Sequence, residues 1–134
     1  MPTIPWTTST APPPNATAHV MASRFEVRSL TDVPRFLIRS FAAWRQVTTA
    51  PGAYGASLVA RPFRRTFYTL SAWRDRDALY AYARAEPHRT IMRELRSTAR
   101  DSAFAHWETT TDALPVRWDE AWRRLAEEAT PGGR

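Results

Sequence analysis

The sequence predicts an α+β fold of the ferredoxin-like, split βαβ kind: a four-stranded antiparallel sheet with helices on one face, in the order βαββαβ. Three observations predict it. Apolar and polar residues alternate with a period of two over His19–Val27. Apolar stripes of helical period run through Val33–Val47 and through WRDRDALYAYARAEPHRTIMREL, Trp73 to Leu95. Between and after them lie β-branched and aromatic runs punctuated by Pro and Gly.

The first 18 residues, MPTIPWTTSTAPPPNATA, hold five of the eleven prolines and many Thr. Such a segment buries too little surface to order itself, so residues 1–17 are expected to be a flexible tail. Trp6 is the exception, expected to lie on the domain or on a partner chain. One domain is expected over residues 18–129. Its first strand is HVMASRFEV. A helix follows, with Thr31 or Asp32 as its cap and Pro34 in its first turn. Val33, Phe36, Leu37, Ser40, Phe41, Trp44 and Val47 form its stripe, and Pro51-Gly52 stops it. AYGASLVARPF and RTFYTLSAW are the next two strands, turning near Pro62. The stretch from Trp73 carries the second helix, broken at Glu86-Pro87 because a proline lacks the N–H and clashes with the preceding turn. SAFAHWETT is the last strand and WDEAWRRLAEEA a C-terminal helix. Residues 130–134 are expected to be a disordered C-terminus.

Both parities of the strands are apolar. Phe67 and Trp73 lie on one side of the third strand, Tyr68 and Leu70 on the other. A sheet apolar on both faces needs a second cover, and a second copy of the chain, in a two-fold homodimer, is the expected one.

Composition narrows the function classes. The net charge is +6 and all 19 basic residues are Arg, scattered and mostly close to Asp or Glu. The longest basic runs are Arg64-Arg65 and Arg123-Arg124. No basic stripe and no aromatic RNA-binding motif is present, so no nucleic-acid partner is expected. The absence of Cys excludes disulfides and thiolate metal sites. The three histidines show neither H-x-H nor HExxH spacing, and four glycines make no phosphate loop, so neither a metal nor a nucleotide cofactor is expected. No run is long and apolar enough for a membrane span, and the N-terminus lacks a signal pattern, so the expected location is cytoplasmic.

His88 is the residue most open to a chemical role. It shares a stripe with Ile91, Met92 and Leu95, at spacings of three, four and seven. It therefore faces inward with them. It reads either as a general base with a pKa near working pH, or an axial iron ligand, or as a helix-start histidine whose ring bonds a neighbouring carbonyl. Tyr68 and Tyr54 offer phenol hydrogen bonds to a substrate oxygen, or belong to an interface. His106 reads as an acid–base partner of Glu108 or, preferably, as an interface contact. His19 reads as exposed at the mouth of its strand. Arg89 and Arg93 flank His88 and read as anion-stabilising or, more simply, as solvated arginines.

The run TFYTLSAWRDRDALYAYARAEPHRTIMREL resembles the antibiotic-biosynthesis monooxygenase-like superfamily, and most closely its spheroidene-monooxygenase-like members. A strand ending Ser-x-Trp, a polar turn, an Ala-rich helix and a following His carry the resemblance, which covers Ala18 to Thr110 in element order. It departs at STARDSAF, where an aromatic pair is expected. The resemblance implies a dimeric α/β barrel, and it implies cofactor-free quinol oxygenation, haem chemistry or no chemistry at all. Trp73 resembles the family's motif Trp. The resulting expectation is a monooxygenase-like enzyme acting on an aromatic or polyene small molecule in an apolar cavity between helices and sheet. His88 would be the base, or the haem ligand if haem is bound. Phe36, Phe41, Trp44, Trp73, Tyr68, Met92 and Arg93 would contact the substrate. The alternative is a non-catalytic dimer that binds a small molecule or haem in the same cavity.

Overall fold

A computed structural model describes residues 3–129. The elements are β1 (Thr3–Thr8), β2 (Thr17–Val27), α1 (Val33–Val47), β3 (Ala53–Arg61), β4 (Thr66–Trp73), α2 (Arg76–Arg84), α3 (His88–Thr98), β5 (Ala99–Thr110) and α4 (Trp118–Ala129). The expected disorder of residues 130–134 lies outside the described residues. From β2 to β5 the element order is the expected βαββαβ, with the second helix in two pieces.

The sheet is antiparallel but has five strands, in the order β1-β3-β4-β2-β5, not four. The extra strand comes from the segment expected to be a tail. Thr3 pairs with Val59, Ile4 with Leu58, Thr7 with Ala56 and Thr8 with Gly55. The reason is specific. Ser57 Oγ donates to the Ile4 carbonyl at 2.7 Å, and Trp6 lies flat on Gly55, where any Cβ would stand 2.5 Å from the indole nitrogen. Pro5 is tolerated because β1 is an edge strand, and the register shifts between Ile4 and Thr7.

The two sheet faces are covered differently. Met21, Ser23, Phe25, Phe67 and Trp73 face α1, α2 and α3. Ala18, Val20, Ala22, Leu70, Ala72, Ala105 and Trp107 face the other way and pack with Ala121 and Leu125 of α4. Helices therefore lie on both faces, not one. The apolar second face, from which a dimer is expected, finds a cover within the chain, where Trp118 Nε1–H donates to Ser57 Oγ at 3.0 Å.

Local chemistry sets the element ends. Asp75 Oδ1 accepts the Ala78 N–H at 2.8 Å and, two residues beyond Trp73, which ends β4, caps α2 at its start. The α1 cap is less regular. Asp32 makes no side-chain cap bond, and a short 3₁₀ turn over Leu30–Asp32 leads in, capped by Ser29. The chain breaks between α2 and α3 at Pro87, and the free N–H of His88 is taken up by Gln46 Oε1 of α1 at 2.9 Å. α3 runs on to Thr98, so β5 begins at Ala99, ahead of the expected start.

Candidate active site

A cavity of about 440 Å³ lies between the α1–α3 layer and the sheet. Its roof is Phe36, Trp44 and Val47 of α1, Leu79, Tyr80 and Tyr82 of α2, and His88, Ile91 and Met92 of α3. Its floor is Met21, Ser23 and Phe25 of β2, Thr69 and Ser71 of β4, and Phe104 and His106 of β5. The lining is mostly apolar, with a few polar groups, as in small-molecule sites.

The break after α2 places His88. α3 restarts at His88, and this first side chain reaches back to α2. His88 Nδ1 stands 3.1 Å from the Ala83 carbonyl. A carbonyl can only accept, so Nδ1 carries the hydrogen, and Nε2 is the lone-pair nitrogen. The ring packs on Tyr82 at 4.7 Å between centroids. Burial holds the His88 pKa below the ordinary imidazole value, with the Ala83 bond working weakly the other way. The base reading and the carbonyl-bonded reading of this histidine are thus compatible: the carbonyl fixes the tautomer that leaves the Nε2 lone pair without a partner among the described residues.

The surrounding groups hold His88 in place. Tyr82 is buried, its hydroxyl donates to the Ala43 carbonyl of α1 at 2.9 Å, and burial pushes its phenol pKa up. Behind it, Trp73 is fully buried and packs on Tyr82 at 5.0 Å. Trp73 Nε1–H donates to Ser71 Oγ at 2.9 Å. The Trp44 indole N–H is buried with no acceptor among the described residues.

The candidate residues separate. Phe36, Trp44, Met92 and His88 line the cavity together. Trp73 supports it from behind. Phe41 stacks on Trp44 at 5.5 Å but is 47% exposed, outside the cavity. Tyr68 is on the opposite face, edge-on to Trp118 and Trp122, with the Arg61 guanidinium over its ring at 5.5 Å. Arg93 lies on the outer side of α3, in a shallow cleft with Arg84, Arg89 and Arg96. Tyr54 is buried in the α4 core.

His19 and His106 read differently in the structure. His19 is buried, not exposed, at 4%. Its Nε2 is 3.0 Å from His106 Nδ1. β2 and β5 pair antiparallel with Met21 opposite His106, so the two rings meet diagonally on the cavity side of the sheet. Glu108 pairs with His19 in the ladder rather than acting as the partner of His106. The shared parity of His19 and Met21, and of Phe104 and His106, was the only signal in the sequence. The diagonal needed the register.

No protein-family model and no curated protein matches the sequence. Solved structures do. SnoaB, a cofactor-independent oxygenase from Streptomyces nogalater, superposes with a TM-score of 0.55 at 18% identity, over 75% of this chain and 100% of that one. A putative antibiotic biosynthesis monooxygenase from Nitrosomonas europaea gives 0.64 at 12% identity, over 75% and 94%. The fold is that of the antibiotic biosynthesis monooxygenases. A further antibiotic biosynthesis monooxygenase superposes at 0.61 and 13% identity, over 69% of this chain and 98% of that one. At these identities the likeness is one of fold, which hosts many chemistries.

Proposed function

We propose that the protein is a cofactor-free monooxygenase acting on a hydroxylated aromatic molecule in this cavity, with His88 as the base. The observation that carries the reading is the His88 ring, fixed by the Ala83 carbonyl, with Nε2 unpartnered among the described residues in an apolar cavity. A neutral imidazole is what proton abstraction requires. His88 Nε2 takes a proton from a ring hydroxyl or its enol. The anion hands one electron to dioxygen, and the carbon radical and superoxide combine. The peroxide recovers the proton from His88, and loss of water leaves a carbonyl where a C–H₂ or C–H stood. One oxygen atom enters the product, the other leaves as water, and all four electrons come from the substrate.

Haem fits the lining poorly. His88 Nε2 is a suitable axial nitrogen, but among the described residues no Arg lines the cavity to meet the two propionates. SnoaB is described as cofactor-independent, which agrees with this choice. The narrower likeness to spheroidene-monooxygenase-like proteins brings a polyene as the competing substrate class. A homodimer belongs to the proposal as well. Ile38 and Phe41 of α1 are 69% and 47% exposed, beside a cleft lined by Ile4 and Leu58, and would give a partner apolar surface. We place the protein in the cytoplasm as part of the same reading; no described helix is long and apolar enough to cross a membrane.

The test is oxygen uptake with anthrone, in chelator-treated protein whose visible spectrum is recorded beforehand. Uptake matched one to one by anthraquinone, without a Soret band, is the expected result. Binding of anthrone without uptake would favour the non-catalytic binding protein instead.

A further inference from the structure

We propose that the His19–His106 pair is a second polar contact of the cavity, and that its ligands are flat aromatic molecules with oxygen functions on two separated edges. The inference rests on the cavity being the ligand site.

His88 belongs to the helical roof and His106 to the sheet floor, so the two imidazoles meet a ligand from opposite layers. Most of the remaining lining is apolar, Met21, Phe36, Trp44 and Met92 among it, with small hydroxyls at Ser23, Thr69 and Ser71. A ligand touching both histidines must therefore be polar at two edges and apolar across its middle. His106 is itself exposed, as is Phe104 two residues before it on the same face of β5, which puts His106 at the open side of the cavity.

The pair is built to accept either kind of oxygen. His106 Nδ1 is engaged with His19 Nε2 at 3.0 Å, and His106 Nε2 has no protein partner among the described residues. With His19 as donor, His106 carries its hydrogen on Nε2 and donates to a carbonyl. With His106 Nδ1 as donor, Nε2 accepts from a hydroxyl. The two forms differ in the tautomer of both rings, and each ring is neutral in either form. His19 is buried behind its partner and holds the ring. Charges on every side are accounted for. Arg76 opposes protonation of both rings, Glu108 and Asp75 face His19, and Glu128 faces His106. Burial is the largest effect on each and lowers both pKa values below the ordinary imidazole value.

The test compares 1-naphthol, with one oxygen, and 1,5-dihydroxynaphthalene, with oxygens on opposite edges. Both are titrated anaerobically, so that binding is read without turnover, by quenching of tryptophan fluorescence. His106→Phe should weaken the diol by about tenfold, one hydrogen bond's worth, and leave 1-naphthol within about twofold. His106→Gln, which keeps a hydrogen-bonding group, should recover part of the loss, and His88→Phe should weaken both compounds. Equal weakening of the two by His106→Phe, or none, in a variant that melts like the parent would overturn the proposal while leaving the function above standing. Failure of the unaltered protein to bind either compound would overturn the cavity as the site, and both readings with it.

Discussion

Replacing Ser57 by Ala tests how this fold covers the second face of its sheet. The Ser57 hydroxyl joins three elements. It donates to the Ile4 carbonyl of β1 at 2.7 Å and accepts the Trp118 indole N–H of α4 at 3.0 Å, from a position on β3 that is 3% exposed. Alanine leaves almost no cavity, so the cost is the two hydrogen bonds. At about 0.5–1.5 kcal/mol each, the loss is about 1–3 kcal/mol. For a domain of this size that is a fall in melting temperature of roughly 3–12 °C. Calorimetry measures it, and a urea titration of the same variant should show a lower midpoint at an unchanged slope. The loss should shrink when Trp118→Phe is already present, because one of the two bonds is then gone. A Ser57→Ala protein that melts within 1 °C of the parent would refute the reasoning, because β1 and α4 would then not meet on this residue.

Other expectations follow from the same geometry. Gly55→Ala should destabilise the parent and do much less harm in a Trp6→Ala background, since the added Cβ collides with the indole at 2.5 Å; equal losses in the two backgrounds would remove Trp6 from β3. All three imidazoles have pKa values held below the ordinary value of about 6.5, chiefly by burial. On acidification the unfolded chain therefore takes up protons before the folded one does. Stability should fall as pH drops below about 6.5, and His88→Gln should flatten that slope in chemical denaturation at pH 5–7. Tyr82→Phe, which removes a buried hydroxyl bonded to the Ala43 carbonyl, should cost about 1 kcal/mol by the same measurement.

Much of the fold was legible because it depends on local pattern. The period-two run at His19–Val27 and the stripe at Val33–Val47 match β2 and α1 closely. The break at Pro87 and the inward side of His88 were legible for the same reason: proline chemistry and helical spacing are local. What was not legible depends on contacts distant in sequence. β1 reads as a tail until Gly55 and Ser57 give it a place to dock. The second apolar face asks for a cover without saying that α4 supplies one. The site divides similarly. Phe36, Trp44, Met92 and His88 follow from helical stripes. Phe41, on the same stripe as Trp44, sits just past the edge that faces the sheet. Tyr68 has the parity opposite Trp73, and which parity faces the cavity is set by the whole sheet. The His19–His106 contact depends on strand register, which no single segment encodes.

The central claim is that His88 is the base of an oxygen-dependent reaction. It is tested most directly by the rate of anthrone-dependent oxygen uptake in His88→Gln relative to the unaltered protein. Losing the bond to the Ala83 carbonyl costs only about 0.5–1.5 kcal/mol of stability, so the variant should fold. Its kcat should be lower by about 10²–10⁴-fold, the usual contribution of a positioned base. Uptake within a few-fold of the parent, in a variant that melts normally, would contradict the account and leave His88 as a residue that only ties α3 to α2.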